Sequence, residues 1–94
     1  MKLLAAIAAV AIAMVASGAA IAQQELAQKS GCLNCHSVDT KKMGPAFKDV
    51  AAKYKGKADA EAQLADKLSN AKGHPAVKAS PDDLKSLVKW VLSQ

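Results

Sequence analysis

Arginine is absent from this chain, so all 13 of its basic residues are lysines. Arginine is the side chain that most often reads bases in the DNA major groove, and basic residues interleaved with aromatic ones are typical of nucleic-acid-binding surfaces. Aromatic residues are also scarce, with one Trp, one Tyr and one Phe. These shortages argue against a nucleic-acid-binding protein. A surface rich in lysine alone favours acidic protein partners instead.

Strand-type patterns, in which apolar and polar residues alternate, are nearly absent, and no internal repeat is present. Helix-forming residues dominate the chain. The sequence therefore predicts an all-α fold built from short helices. They are expected at 23–29, from 45 or 46 to 54, at 58–71, and from 81 onward.

The last predicted helix has the strongest pattern. Ser80 is a typical N-cap, Pro81 suits the first helical position, and two aspartates follow near the positive end of the helix dipole. Apolar residues then recur at helical spacing and form one stripe: Leu84, Leu87, Val88, Val91 and Leu92. Trp90 lies at the edge of this stripe and is expected to flank the core.

The first 22 residues differ in composition from the rest of the chain. Lys2 precedes an uncharged apolar run, and small residues then lead to Ala20-Ile21-Ala22, which fits a signal-peptidase site. A membrane-spanning helix needs about 20 strongly apolar residues, whereas this stretch is rich in alanine. We therefore expect a signal peptide, 1–22, that exports a single domain, 23–94, to the periplasm, free of the membrane after cleavage.

A domain this small buries only about 60% of its unfolded surface and usually needs a disulfide, a metal or a cofactor for stability. Two cysteines and a histidine stand close together in SGCLNCHSVD, residues 30–39. The string C-x-x-C-H, formed by Cys32, Cys35 and His36, is typical of covalent haem attachment. The two thiols add across the two vinyl groups along one haem edge, and the histidine then lies beneath the ring and ligates the iron.

Other uses of the two cysteines fit less well. A disulfide between Cys32 and Cys35 would close too small a loop to stabilise the chain much. A structural zinc site needs four ligands, and adding His36 and His74 gives a spacing that matches no common zinc finger. A thioredoxin-like dithiol requires a βαβ context. Export, small size and helices together favour one covalent haem c, with a zinc or thiol module as the alternative.

Three segments make the chain resemble a small class I bacterial cytochrome c of the c-551 or c8 type: GCLNCHSVDT, MGPAFKDVAAKY and SPDDLKSLVKWVLSQ. The resemblance extends over nearly the whole of 24–94. It implies that the first and last helices cross near one haem edge. It also implies that Pro45 offers its carbonyl to His36, which would fix the tautomer of the imidazole and raise its basicity.

In that family, the sixth iron ligand is a methionine followed by proline, in the loop before the last helix. The corresponding loop here, KGHPAVKA at 72–79, contains no methionine. His74-Pro75 stands at the same distance before the last helix. We therefore expect His74 to be the sixth ligand, opposite His36.

Three alternatives to His74 remain at this stage. The iron could be open or water-bound, or Lys78 could bind it if its amine were deprotonated. Met43 is the third, but it follows His36 too closely to reach the opposite haem face, so we expect it to pack in the core.

An iron bound by two histidines predicts a single-electron carrier rather than an enzyme. Imidazole favours ferric iron more than a thioether does, so the potential should be lower than in methionine-ligated relatives. Acidic redox proteins are the expected partners, docking on lysines around the haem edge: Lys41, Lys42, Lys48, Lys53, Lys55, Lys72 and Lys78. The alternative function, a gas-binding sensor or a peroxidase-like protein, requires a labile or open sixth position.

Overall fold

The computed structural model describes residues 21–94. Within this range, residues 21–29 belong to helix α1, and a 3₁₀ turn covers Cys32–Asn34. Three further helices follow: α2 at Phe47–Tyr54, α3 at Ala60–Ser69 and α4 at Pro81–Leu92. The described part of the chain contains no strand, and the predicted all-α class is confirmed.

Most of the predicted signal segment lies outside the described residues, because the description begins at residue 21. Only the last two residues of that segment are described, as part of α1. Among the helices of residues 21–94, none is both long enough and apolar enough to cross a membrane.

The beginning of α4 matches the sequence prediction. The Ser80 hydroxyl accepts a hydrogen bond from the backbone N–H of Asp83 at 3.1 Å, which satisfies one of the free N–H groups of the first turn. Pro81 is the first helical residue, where its missing N–H costs no hydrogen bond.

Two helices are shorter than the sequence suggests. Helix α2 begins only at Phe47, because Ala46 is extended with ψ of 144° and serves as its N-cap. Helix α3 ends at Ser69, because the chain turns at Asn70 and enters the left-handed region at Ala71, where φ is +53°. Both of these helix ends lie next to a segment that carries a predicted haem-site residue.

The core lies where the first and last helices meet. Ala27 of α1 is completely buried and packs in one cluster with Leu87 and Trp90 of α4 and with Phe47. A side chain as small as alanine allows two helices to approach closely. Trp90 is 8% exposed and lies edge-on to Phe47, with ring centres 5.4 Å apart, so it belongs to the core. Helices α2 and α3 also pack against α4.

Replacing Leu87 by alanine should lower the free energy of unfolding by about 2–5 kcal/mol, because a buried leucine leaves a cavity. Leu87 is only 2% exposed. Chemical denaturation of the purified, exported protein measures the change. Lys89→Ala on the exposed side of the same helix is the control, and it should change the value by less than about 0.5 kcal/mol. Equal effects of the two substitutions would contradict this description of the core.

Candidate cofactor site

A cavity of about 380 Å³ opens between the 3₁₀ turn, the loop before α4 and the inner faces of α2, α3 and α4. Both cysteines and both histidines of the described chain line it. Most of the remaining wall is apolar and includes Val50, Leu64, Leu68, Leu87, Val88 and Val91. An apolar cavity with a few convergent polar groups is typical of a cofactor site.

The 3₁₀ turn brings the three residues of the C-x-x-C-H string to this cavity. It begins after Gly31, whose φ of +82° lies in the region that favours glycine. The backbone N–H groups of Cys35 and His36 both donate to the carbonyl of Cys32, at 3.3 and 3.0 Å. The turn is therefore tight enough to place Cys32, Cys35 and His36 on one wall.

The two cysteines are half-buried and are not joined to each other. Burial raises the pKa of the Cys32 thiol, so this group stays protonated near neutral pH. Reactive dithiols have the opposite property, a depressed pKa and an accessible thiolate. The thiol-redox alternative therefore receives no support from the site. Within residues 21–94, no three His, Cys, Asp or Glu side chains cluster closely enough to hold a metal ion by themselves.

The imidazole of His36 is held by a hydrogen bond to the backbone. Its Nδ1–H donates to the carbonyl of Pro45 at 2.6 Å, which is the hydrogen bond that the resemblance implied. A carbonyl oxygen only accepts, so Nδ1 carries the proton and the lone pair of Nε2 is free to bind a metal.

Gly44 packs directly against the ring of His36. A Cβ at this position would lie 2.8 Å from both ring nitrogens, well inside van der Waals contact. The backbone N–H of Gly44 also donates to the carbonyl of Cys35 at 2.7 Å, which closes the loop between them. Phe47 stacks on the same imidazole, with ring centres 5.1 Å apart. The orientation of His36 is thus fixed by Pro45, Gly44 and Phe47.

The imidazole of His74 is oriented in the same way. Its Nδ1–H donates to the carbonyl of Pro75 at 2.7 Å, which again leaves Nε2 free. The rings of His36 and His74 lie within 6° of parallel, and their centres are 6.0 Å apart. Two residues that are distant in sequence therefore face each other across the cavity.

This separation fits one metal ion between the two rings. A histidine nitrogen binds a transition metal at about 2.0–2.1 Å. The ring centre lies about 1.1 Å behind that nitrogen, given ring bonds of about 1.3 Å. Imidazoles on opposite sides of one iron should then have their centres about 6.2 Å apart, close to the observed 6.0 Å. The cysteines, the histidines and the apolar wall of this cavity therefore fit a haem.

The prediction that Met43 packs in the core is wrong. Its side chain is 86% exposed and does not line the cavity. The physical reason is the local turn: Gly44 is bonded to Cys35, and the N–H of Lys42 donates to the carbonyl of Gly44, so residue 43 lies at the outer tip. Lys78 is exposed and also does not line the cavity.

Two lysines line the cavity, Lys53 and Lys67. Lys53 was among the lysines expected around the haem edge, whereas Lys67 was not. Lys48 instead forms an ion pair with Asp39 at 2.7 Å, and this hydrogen bond raises the pKa of Lys48. Of the lysines that were expected around the haem edge, Lys53 alone is among the residues that line the cavity.

Three contacts escaped the sequence analysis: Gly44 and Phe47 on the ring of His36, and the carbonyl of Pro75 on His74. The hydrogen bond of His74 could have been predicted from the sequence, because His74-Pro75, like Gly44-Pro45, places a proline carbonyl near a histidine. The contacts of Gly44 and Phe47 depend on how the chain turns and had no signal in the sequence.

The chain is similar in sequence and in structure to known cytochromes. A family model described as cytochrome c matches residues 15–94. The chain is 40% identical to cytochrome c-551 of Pseudomonas aeruginosa over 97 residues, covering 88% of this chain and 93% of that protein. It is 41% identical to cytochrome c-552 of Nitrosomonas europaea over 91 residues, covering 88% of each. The crystal structure of the class 1 cytochrome MtoD from Sideroxydans lithotrophicus superimposes with a TM-score of 0.67 at 40% identity, covering 77% of this chain and 91% of that one.

Gly44→Ala should displace the ring of His36 and weaken its hydrogen bond to Pro45, because the added Cβ overlaps the imidazole. We expect the free energy of unfolding to fall by about 1–3 kcal/mol. The Nδ1–H proton of His36, followed by NMR, should shift and exchange faster with water. Gly56→Ala is the control: its φ of +80° makes alanine unfavourable, but no atom lies near the new Cβ. A shift of the His36 proton in Gly56→Ala, or none in Gly44→Ala, would contradict the proposed contact.

Proposed function

The chain belongs to the cytochrome c family, and from this premise we propose that it is a periplasmic single-electron carrier whose haem iron lies between His36 and His74. Cytochromes of this family are electron carriers with one haem c. Here the haem is bonded covalently through Cys32 and Cys35. The two histidine ligands, the low potential and the periplasmic location are the parts that we propose.

The observation that carries the proposal is the relation between the two imidazoles. Their centres are 6.0 Å apart and their planes lie within 6° of parallel. Each Nδ1–H is already used by a proline carbonyl, so the lone pair of each Nε2 is free to bind a metal. Neither Met43 nor Lys78, the other side chains considered as sixth ligand, lines the cavity.

When bound, the haem supplies a one-electron change between ferric and ferrous iron. The protein residues keep the surroundings of the iron the same in both oxidation states. Cys32 and Cys35 tether the group, and two oriented histidines limit movement of the ligands. The apolar wall, which includes Leu64 and Val88, excludes water. An environment that needs little rearrangement suits rapid electron transfer.

Two imidazoles also predict the direction of the redox potential. A thioether favours ferrous iron and raises the potential, whereas imidazole is the better donor and favours ferric iron. The hydrogen bonds from Nδ1–H to Pro45 and Pro75 increase the basicity of both ligands. We therefore propose a potential well below that of methionine-ligated relatives, within the range of about 0.8 V that axial ligands cover.

The periplasmic location is supported by the sequence of 1–22, which has the features of a signal peptide. Covalent haem attachment takes place outside the cytoplasm, where such a segment would deliver the chain. Domain 23–94 would then carry electrons between redox proteins in that compartment.

His74→Ala should convert the ferric protein from a six-coordinate low-spin spectrum to a high-spin spectrum, because the sixth position becomes open or water-bound. The wild type should lack the weak red band of methionine-ligated ferric haem. Its midpoint potential, measured by titration, should lie on the order of a few tenths of a volt below that of methionine-ligated relatives. Met43→Ala and Lys78→Ala are matched controls and should keep the wild-type spectrum.

Two results would overturn this proposal. An unchanged spectrum in His74→Ala would exclude His74 as a ligand. Rapid, stoichiometric binding of carbon monoxide to the reduced wild type would show a labile sixth position, and a gas-binding sensor would then replace the electron carrier.

The lysines at the cavity should make electron transfer sensitive to salt. Lys53 and Lys67 line the cavity, and opposite charges accelerate an encounter less when ions screen them. The reduced protein should therefore react more slowly with ferricyanide, an anion, as ionic strength rises, and faster with the cationic tris(phenanthroline)cobalt(III). Lys53→Ala and Lys67→Ala should weaken both trends, whereas Lys85→Ala on α4 should not. Reaction rates that do not change with ionic strength would contradict the proposal that these lysines attract redox partners.

A further inference from the structure

The loop that carries His74 is attached to the end of α3 on both sides of the histidine. Before it, the N–H of Lys72 donates to the carbonyl of Lys67 at 3.1 Å. After it, the N–H of Val77 donates to the carbonyl of Leu68 at 2.9 Å. The position of His74 therefore depends on how the chain turns at the end of α3.

That turn contains an unfavourable backbone conformation. Ala71 has φ of +53° and is the only residue other than glycine with a positive φ in the described range 21–94. It occupies the position after the C-cap Asn70, where helices most often use glycine. A side chain with a Cβ costs free energy in the left-handed region. Contacts around Ala71 must therefore stabilise the turn.

Asp66 makes these contacts. One carboxylate oxygen accepts from the side-chain amide of Asn70 at 2.6 Å, and the other accepts from the ammonium of Lys72 at 2.7 Å. Asn70 and Lys72 are the direct neighbours of Ala71. The carboxylate thus bonds to the chain on both sides of the unfavourable residue.

The location of Asp66 is otherwise unexpected. It lies near the C-terminal end of α3, where the helix dipole disfavours a negative charge. The hydrogen bonds from Lys72 and then Asn70 lower the pKa of Asp66, so the carboxylate stays ionised at neutral pH. Its two partners account for a negative charge at this end of the helix.

We propose that Asp66 is a positioning residue for His74: by binding Asn70 and Lys72, it holds the left-handed turn at Ala71 and thereby controls how often His74 leaves the iron. This inference rests on the proposed ligation by His74. Asp66 lies on α3 and does not line the cavity, so it acts only through the loop.

The test measures how fast imidazole replaces His74 in the ferric, haem-loaded protein, followed by its visible spectrum. Asp66→Ala removes both hydrogen-bond acceptors while placing the best helix former in α3. We expect the resting spectrum to stay six-coordinate and low-spin, and the exchange rate to rise about three- to tenfold, since two exposed charge-assisted contacts are lost.

Asp39→Ala is the matched control. It breaks the Asp39–Lys48 ion pair, which has the same 2.7 Å distance and similar exposure but lies on the side of His36. The exchange rate should then stay at the wild-type value. Free energies of unfolding of both variants, measured in parallel, separate a local effect on the loop from a general loss of stability.

Ala71→Gly tests whether Asp66 acts through the turn. Glycine removes the unfavourable φ, so Asp66→Ala should accelerate exchange at least twofold less in this background than in the wild type. An equal acceleration in both backgrounds would overturn the role of the turn.

The two proposals fail in different ways. If imidazole binds the wild type as fast as it binds His74→Ala, ligation by His74 is wrong, and the role of Asp66 is wrong with it. If the wild type exchanges slowly and Asp66→Ala exchanges equally slowly, only the role of Asp66 is overturned.

Discussion

The hydrogen bond from His36 to the carbonyl of Pro45 is the constraint on which the rest of the structure depends. It defines the tautomer of the imidazole and so decides which nitrogen faces the cavity. The bond requires Gly44 to pass against the ring, where a Cβ does not fit. It also keeps Pro45 and Ala46 out of α2, which begins at Phe47. Phe47 in turn contacts both His36 and Trp90, so this imidazole is connected directly to the core between α1 and α4.

His74, on the other side of the cavity, has a similar hydrogen bond but fewer packing contacts. His74 also donates to a proline carbonyl, but within residues 21–94 no Phe, Tyr or Trp ring packs on its imidazole as Phe47 does on His36. Its position comes from a short loop anchored to the end of α3. The two histidines are therefore held differently: His36 contacts Phe47 of the core, whereas the position of His74 depends on the hydrogen bonds of its loop.

Local signals predicted the parts of the fold that depend on neighbouring residues. The cap at Ser80 and the apolar stripe defined α4, and the C-x-x-C-H string defined the wall with Cys32, Cys35 and His36. His74 was predicted as a ligand because it stands at the position where the resemblance implies a methionine. Positions that depend on the course of an irregular turn were not predictable. Met43 was expected in the core because it follows His36 too closely to reach the opposite haem face, yet hydrogen bonds of its neighbours turn it outward. Helix α3 ends two residues early because the contacts of Asp66 with Asn70 and Lys72 stabilise a left-handed alanine that helix propensity alone would place in the helix.

Trp90, the single tryptophan of the chain, makes this core observable. Its ring lies 5.4 Å from that of Phe47, which is itself 5.1 Å from the imidazole of His36. A haem beside that imidazole would accept the excitation energy of the indole and so quench its fluorescence. Emission would then return only when α4 separates from the cofactor wall. The protein thus contains an intrinsic optical probe for the contact between α4 and the wall that carries His36. Loosening of the loop that carries His74 would by itself leave the emission quenched.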